Sequence, residues 1–177
     1  KHDSLYPCLA EVAGEPQSII DAACGYGIHS VWLQANLDEV AITAMTAVDE
    51  QRYIARYALG PDTMVWTTSP QKIPVQAESA HMALLLDAIR TIAPEHLPAT
   101  LDRLHQSLLP KGKLLISYVE GPKFPTGRLH RFLFNRVVYQ GVPLYAHQKS
   151  HITKALSEAG FQVTPSPVQQ ASAGRVW

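Results

Sequence analysis

Apolar and polar positions along the chain fall into two alternating patterns. Short apolar runs of strand length, such as 18–22 and 80–86, are separated by longer stretches with apolar residues three or four positions apart. The clearest helical stretch is 95–109, where leucines recur at helical spacing. The predicted strands are 18–22, 40–48, 64–68, 80–86, 113–119 and 161–164, and the predicted helices are 5–13, 28–35, 51–59, 95–109, 128–139 and 147–159. This alternation predicts an α/β fold, a doubly wound and mostly parallel sheet with helices on both faces.

Composition limits the class of protein. A chain of 177 residues suits one domain, residues 1–177, and a hydrophobic fraction of 46% is enough for a sizeable core. No run of about 18 apolar residues occurs, so the sequence predicts no transmembrane helix. The two cysteines form no CxxC pair, which argues against a disulfide framework or a cysteine zinc site. We therefore expect a protein of the reducing cytoplasm without a membrane segment.

Charge is distributed unevenly although the formal net charge is zero. From Gly121 to Ser157 the sequence has no Asp or Glu and carries a formal charge of +6, whereas residues 1–120 carry −6. A neutral total is therefore compatible with an anionic ligand on one face. The alternative is that the two parts simply complement each other within the fold.

A glycine-rich turn joins the first predicted strand to the next helix. The segment IIDAACGYGIHSVWL places Gly25 and Gly27 in this turn, where glycine lets the backbone approach a ligand closely. Free N–H groups at the start of the helix favour an anionic group. A dinucleotide-binding G-x-G-x-x-G fingerprint matches only in part, because Ser30 occupies the third glycine position. An ordinary tight turn between strand and helix is the alternative.

Four segments, in the expected order, resemble class I S-adenosylmethionine-dependent methyltransferases. They are DAACGYG, AVDEQRYIARYA, LDRLHQSLLPKGKLLISY and ALSEAGFQV, and the resemblance covers most of the chain, from Ser18 to Val163. It implies S-adenosylmethionine as the cofactor and methyl transfer as the reaction. The cofactor-binding residues that it implies are Asp21, Ala22, Cys24, Gly25, Gly27, Asp49, Glu50, Ser69, Leu86 and Asp87.

The resemblance also implies a role for each part of this set. Gly25 and Gly27 would face the methionine part of the cofactor, and Asp21 would lie near its amino group. Asp49 would accept hydrogen bonds from both ribose hydroxyls, which suits a carboxylate with two acceptor oxygens, and Glu50 is the fallback. Asp49 could instead cap the following helix. Asp87 would line the cofactor pocket or cap the helical turn DAIRTI.

The sequence departs from the family pattern at two positions. Ser69 stands where the family often has an Asp that contacts the adenine amino group, and His81 stands where an Asp commonly begins the fourth strand. These departures leave open a non-catalytic scaffold that retains the cofactor-binding fold.

Methyl transfer to a hydroxyl or an acidic carbon needs a base, and histidine suits this role near neutral pH. His147 and Tyr145 lie at the end of the segment where the family builds its substrate cover, and they are the candidate catalytic residues. His147 and His151 lie four residues apart, a spacing that can ligate a metal ion. No third ligand at a suitable spacing is evident, so we predict no metal site.

The insertion at about 121–147 follows the fifth predicted strand and is expected to act as a substrate lid. Its candidate substrate-binding residues are Arg128, His130, Arg131 and Tyr139. Because arginine can hold a carboxylate or phosphate through two hydrogen bonds, we expect a small anionic substrate. The alternative is a surface helix whose arginines extend over apolar neighbours. A nucleic-acid methyltransferase is an alternative function, in which this basic segment would contact phosphates. The sequence pI of about 7.3 argues against it, because it is far below that of a typical basic binding domain.

Overall fold

Strands and helices alternate in the computed structural model, which describes residues 6, 9–10, 14–69, 72–74, 76–118, 138–139, 142–145, 147–164 and 175–176. The strands are β1 (Ser18–Asp21), β2 (Ala41–Thr46), β3 (Met64–Thr67), β4 (Ala80–Leu86), β5 (Leu108–Tyr118), β6 (Val138–Tyr139), β7 (Val142–Pro143) and β8 (Arg175–Val176). The helices are α1 (Ile28–Asn36), α2 (Asp49–Leu59), α3 (Leu97–Ser107) and α4 (Lys149–Glu158), with a short 3-10 turn at Ile89–Thr91.

The main sheet has the strand order β3-β2-β1-β4-β5-β8. Strands β1 to β5 are all parallel, and β8 pairs antiparallel with β5. The order reverses at β1, which pairs with β2 on one side and β4 on the other. In open parallel sheets, ligands bind at the carboxyl ends of the strands beside such a reversal. The predicted doubly wound α/β fold is confirmed.

Apolar residues on both faces of the strands produce two hydrophobic cores. Along β4, Ala83 and Leu85 belong to one core, while Met82 and Leu84 belong to the other. Leucines of α3 and apolar residues of α4 complete the first core, and apolar residues of α1 and α2 complete the second. Because successive side chains of a strand point to opposite faces, an almost wholly apolar strand such as β4 requires a helical layer on each side.

The junction between α3 and β5 differs from the prediction. The leucine pattern predicts a helix to residue 109 and a strand from 113, whereas α3 ends at Ser107 and β5 begins at Leu108. Leu108 pairs with Ala80 and Lys113 pairs with Met82, so the register shifts between the two pairs. The extra residues form an irregularity in which Lys111 adopts a φ of 67°. The Pro-Lys-Gly sequence therefore lies within an irregular strand and not between two elements.

One sequence prediction near the end of the chain is wrong, and another is wrong at its last two residues. Residues 161–164 form no strand, and the sixth strand of the main sheet is the two-residue β8. The segment 161–164 is followed by Pro165, which has no N–H to donate to a sheet ladder. The last two residues of the predicted helix 128–139 form strand β6 instead. These residues, Val138 and Tyr139, are of types that favour strands. Residues 128–137, and most of the predicted lid at 121–147, lie outside the described residues.

Among the described residues, every helix is too short or too polar to span a lipid bilayer.

We expect Leu101→Ala to lower the free energy of unfolding by about 2–5 kcal/mol. Leu101 is fully buried in the core between α3 and the sheet, so truncation removes apolar contacts and leaves a cavity. The control is Ile54→Ala on the exposed side of α2, where we expect a change within about 0.5 kcal/mol. Urea unfolding of both variants measures the difference, and similar losses in the two would contradict this description of the core.

Candidate active site

The carboxyl edge of the parallel sheet brings together most of the predicted cofactor-binding residues that the structure describes. Asp21 is the last residue of β1, and the glycine turn follows it. Asp49 comes shortly after β2, Ser69 after β3, and Asp87 directly after β4. Because these strands run in the same direction, their following residues share one edge, with β1 at its centre.

The glycine turn is fastened to the strands on either side of β1. The Ala22 N–H donates to the Leu84 carbonyl of β4 at 3.0 Å, and the Cys24 N–H donates to the Met45 carbonyl of β2 at 2.7 Å. The Gly27 N–H closes the turn on the Cys24 carbonyl at 2.8 Å. This part of the main chain therefore has little freedom to move relative to the sheet.

The two glycines of the turn are needed for different reasons. Gly25 and Gly27 have φ angles of 55° and 82°, which favour glycine. A Cβ added at Gly27 would lie 3.2 Å from the Ala55 Cβ of α2, so this glycine lets two helices pack closely. A Cβ added at Gly25 would meet no atom of the described residues within 4 Å. With respect to this part of the chain, Gly25 therefore borders open space at the sheet edge, as a residue that contacts a ligand must.

Asp21 is buried beneath the glycine turn with both carboxylate oxygens engaged. Oδ2 accepts a hydrogen bond from Ser30 Oγ of α1 at 2.6 Å, and Oδ1 accepts one from the Ala23 N–H at 3.4 Å. Burial raises the pKa of Asp21 to about 6, against the opposing effect of these two hydrogen bonds. Ser30, which departs from the dinucleotide fingerprint, is thus the partner of the buried acid. Asp21 connects the turn to α1.

Cys24 is buried in the same turn and its thiol is not activated. Its Sγ lies 3.6 Å from the Gly25 carbonyl oxygen. Burial, together with the charge of Asp21, raises the pKa of the thiol. A protonated, buried thiol is a poor nucleophile, so Cys24 lines the turn without acting in covalent chemistry.

Asp49 is the first residue of α2 and does not cap it. The residue at the N-cap position is Val48, and no side chain caps this end. The Asp49 Oδ1 instead accepts a hydrogen bond from Thr67 Oγ1 at 2.7 Å and lies 3.8 Å from Arg52 Nε. The capping alternative is therefore wrong, and the carboxylate stays exposed at the sheet edge. Glu50 is also exposed, in the first turn of α2.

Asp87 adopts a left-handed backbone conformation, with φ at 53°, at the end of β4. Its N–H lies 3.0 Å from the Ser117 carbonyl and 2.9 Å from Ser117 Oγ, and that hydroxyl donates to Asp87 Oδ1 at 3.2 Å. The N-cap residue of the following 3-10 turn is Ala88, and no side chain of the described residues caps it, so the capping alternative for Asp87 is wrong as well. The preceding Leu86 is buried, and Ser69 is partly exposed.

Tyr145 and His147 lie against the turn that follows β4. The Tyr145 N–H donates to the Arg90 carbonyl at 2.6 Å, and His147 Nε2 donates to the Ile92 carbonyl at 2.8 Å. Burial lowers the pKa of His147, which keeps the ring neutral. The His151 ring lies 6.2 Å away, and no group of three potential ligands in the described part of the chain could hold a metal ion.

The predicted substrate-binding residues are described only in part. Tyr139 belongs to β6, which pairs with β7 in a separate two-stranded sheet. Arg128, His130 and Arg131 lie outside the described residues.

The sequence analysis missed three hydroxyl residues of the site: Ser30, Thr67 and Ser117. Each donates a hydrogen bond to one of the aspartates at the sheet edge, at distances of 2.6 to 3.2 Å. The third position of the glycine motif was a signal for Ser30. No sequence signal marks the other two, because their partners lie 18 and 30 residues away.

We expect Asp21→Asn to remove a pH-dependent loss of stability. The folded carboxyl has its pKa raised to about 6, so the folded state binds more protons than the unfolded state between about pH 4 and 6. The contribution of Asp21 to stability therefore falls as pH rises through this window, by roughly 2–3 kcal/mol. Urea unfolding of both proteins between pH 4 and 7 measures the difference. A difference that does not change with pH would contradict the raised pKa.

Comparisons with known proteins identify the family of the chain. The sequence matches the family described as "Methyltransferase domain" over residues 3–166. None of the curated proteins matches the sequence significantly.

Among solved structures, a protein of Pyrococcus horikoshii OT3 is 15% identical with a TM-score of 0.76, over 99% of this chain and 86% of that chain. An S-adenosylmethionine-dependent methyltransferase from Mesorhizobium loti is 18% identical with a TM-score of 0.70, over 91% and 82%. Human N-acetylserotonin methyltransferase in complex with S-adenosylmethionine is 17% identical with a TM-score of 0.64, over 90% and 45%. These likenesses show the fold. With the family match over most of its length, the chain belongs to the methyltransferase-domain family and is a methyltransferase.

Proposed function

We propose that this methyltransferase acts on a small substrate with an acidic group, held between the carboxyl edge of the sheet and residues 121–147. The observation that carries the proposal is the acid-free stretch from Gly121 to Ser157, with its formal charge of +6. Tyr145 and His147, which belong to this stretch, are hydrogen-bonded to Arg90 and Ile92 in the turn after β4. Arginines upstream of this point would supply the charge that binds the acidic group.

The cofactor would bind across the centre of the sheet edge. Gly25 borders open space there, and the exposed carboxylate of Asp49 would accept hydrogen bonds from the ribose hydroxyls. Ala22 and Cys24 belong to the turn at this edge, and Ser69 and Leu86 lie at the ends of β3 and β4. Asp21 would act from beneath the turn, since its oxygens are engaged within the protein.

Methyl transfer is an in-line displacement in which a lone pair of the acceptor attacks the methyl carbon as the bond to sulfur breaks. The cofactor is already activated, so the protein has to align the acceptor and exclude water. A hydroxyl or an acidic carbon as acceptor needs a base to take its proton, whereas an amine attacks through a lone pair that is already free. In His147, Nε2 donates to the Ile92 carbonyl, so the neutral ring has its lone pair on Nδ1. That buried atom has no hydrogen-bond partner in the described part of the chain. We propose that it takes the proton of the acceptor, and that Tyr145 is the neighbouring catalytic residue.

We expect Gly25→Val to abolish binding of S-adenosylmethionine while the protein stays folded. The new side chain would enter the space that the cofactor needs, although it meets no atom of the described residues. The matched control is Gly14→Val, because Gly14 has a similar φ of 62°, has equally few neighbours among the described residues, and precedes β1 at the opposite edge of the sheet. Both variants should lose about 1–2 kcal/mol of stability from backbone strain. Calorimetric titration with the cofactor separates them, and full affinity in folded Gly25→Val would refute the proposed site.

We expect Arg128→Ala and Arg131→Ala to lower kcat/KM about ten- to a hundredfold, because each removes a charge-assisted hydrogen bond to the substrate. Affinity for S-adenosylmethionine should stay unchanged. The control is Lys154→Ala in the same acid-free stretch, since Lys154 is an exposed residue of α4 that lies 3.6 Å from Glu158. Turnover is followed by mass spectrometry with small carboxylic acids and phosphate esters as acceptors. Unchanged kcat/KM in both arginine variants would contradict the anionic substrate. Cofactor binding without any methylated product would indicate a scaffold.

A further inference from the structure

The carboxylate of Asp49 is held by a residue from the neighbouring strand. Thr67, the last residue of β3, donates a hydrogen bond from Oγ1 to Asp49 Oδ1 at 2.7 Å. Arg52, one turn along α2, places its Nε 3.8 Å from the same oxygen. The Asp49 side chain is 68% exposed, so packing alone does not restrict its rotamer. These two contacts are therefore what fixes the direction of the carboxylate.

Sheet register places the Thr67 hydroxyl where it can do this. Thr67 pairs with Thr46, the last residue of β2, from which the chain continues into α2. Thr46 also binds the start of α2, since its Oγ1 donates to Gln51 Oε1 at 2.6 Å. The two paired threonines thus hold the first turn of α2 against the ends of both strands.

The hydrogen bond from Thr67 leaves enough acceptor capacity for a ligand. A carboxylate offers about four lone-pair sites, of which Thr67 uses one on Oδ1. Oδ2 takes part in neither of the two contacts that hold Oδ1. Two neighbouring hydroxyl donors, as in a ribose diol, can therefore bind without displacing Thr67. A carboxylate that is ordered before the ligand arrives loses less conformational entropy on binding.

We propose that Thr67 is a positioning residue for cofactor binding, which orients the Asp49 carboxylate toward the ribose diol. This inference rests on the proposed role of Asp49. It predicts that Thr67 contributes to affinity only through the two ribose hydroxyls, because the threonine acts on the ligand through the carboxylate.

The test is calorimetric titration of Thr67→Val with two ligands, S-adenosylhomocysteine and its analogue that lacks both ribose hydroxyls. Affinity for the first ligand should fall about three- to tenfold, the effect of one hydrogen bond. Affinity for the analogue should not change. Thr67→Ser retains the hydroxyl, so its affinity for S-adenosylhomocysteine should equal that of the wild-type protein. The control is Thr43→Val within β2, a strand threonine at a position paired with Met64, remote from Asp49 in the register.

A cycle with Asp49→Ala completes the experiment. Adding Thr67→Val to Asp49→Ala should have no further effect on affinity for S-adenosylhomocysteine, because there is no longer a carboxylate to orient. Equal losses for both ligands in Thr67→Val would indicate a merely structural role and overturn the inference, as would unchanged affinity for S-adenosylhomocysteine. Failure of the wild-type protein to bind that ligand would instead overturn the proposed cofactor site. If Asp49→Ala binds normally while the wild type also binds, the ribose role of Asp49 is wrong and the inference falls with it.

Discussion

The pairing of β1 with strands on both sides is the constraint on which the site depends. This strand has four residues and lies between β2 and β4, so the chain must leave the sheet in a buried position. Buried N–H groups need partners, and the turn after β1 finds them in the carbonyls of Leu84 and Met45. The glycine turn is therefore built on the sheet itself. A ligand that contacts Gly25 meets a main chain that is already ordered.

The aspartates at this edge differ in burial, and their chemistry differs accordingly. Asp21 is almost wholly buried, its pKa is raised to about 6, and its oxygens are engaged by the protein. Asp49 and Asp87 are exposed, and a threonine or a serine of the adjacent strand holds one oxygen of each. The buried Asp21 thus maintains the turn. The exposed carboxylates of Asp49 and Asp87 are available to hydrogen-bond donors of a ligand.

Features that depend on local pattern were predictable from the sequence, and features that depend on register were not. The alternation of apolar strands such as β4 with helices such as the leucine-rich α3 predicted a layered parallel sheet, and the glycine motif predicted the turn between β1 and α1. The segment 161–164 has apolar residues but no strand, and β8 is only two residues long, too short to carry a pattern. Asp49 and Asp87 were candidates because the resemblance to the methyltransferase family implies cofactor-binding residues at these positions. Their hydrogen-bond partners Thr67 and Ser117 could not be predicted, because they depend on which strands are neighbours and on the register of the pairing.

The two departures from the family pattern have different consequences because they lie at opposite edges of the sheet. His81 is at the start of β4, where its Nδ1 lies 2.8 Å from Ser18 Oγ of β1 and its N–H lies 3.2 Å from the same hydroxyl. The histidine therefore joins two strands at the amino edge, remote from any ligand at the carboxyl edge. Ser69 follows β3 at the carboxyl edge, two residues after Thr67. Any difference from the family in adenine recognition would therefore arise at the end of β3. The last residue of this strand, Thr67, also orients Asp49.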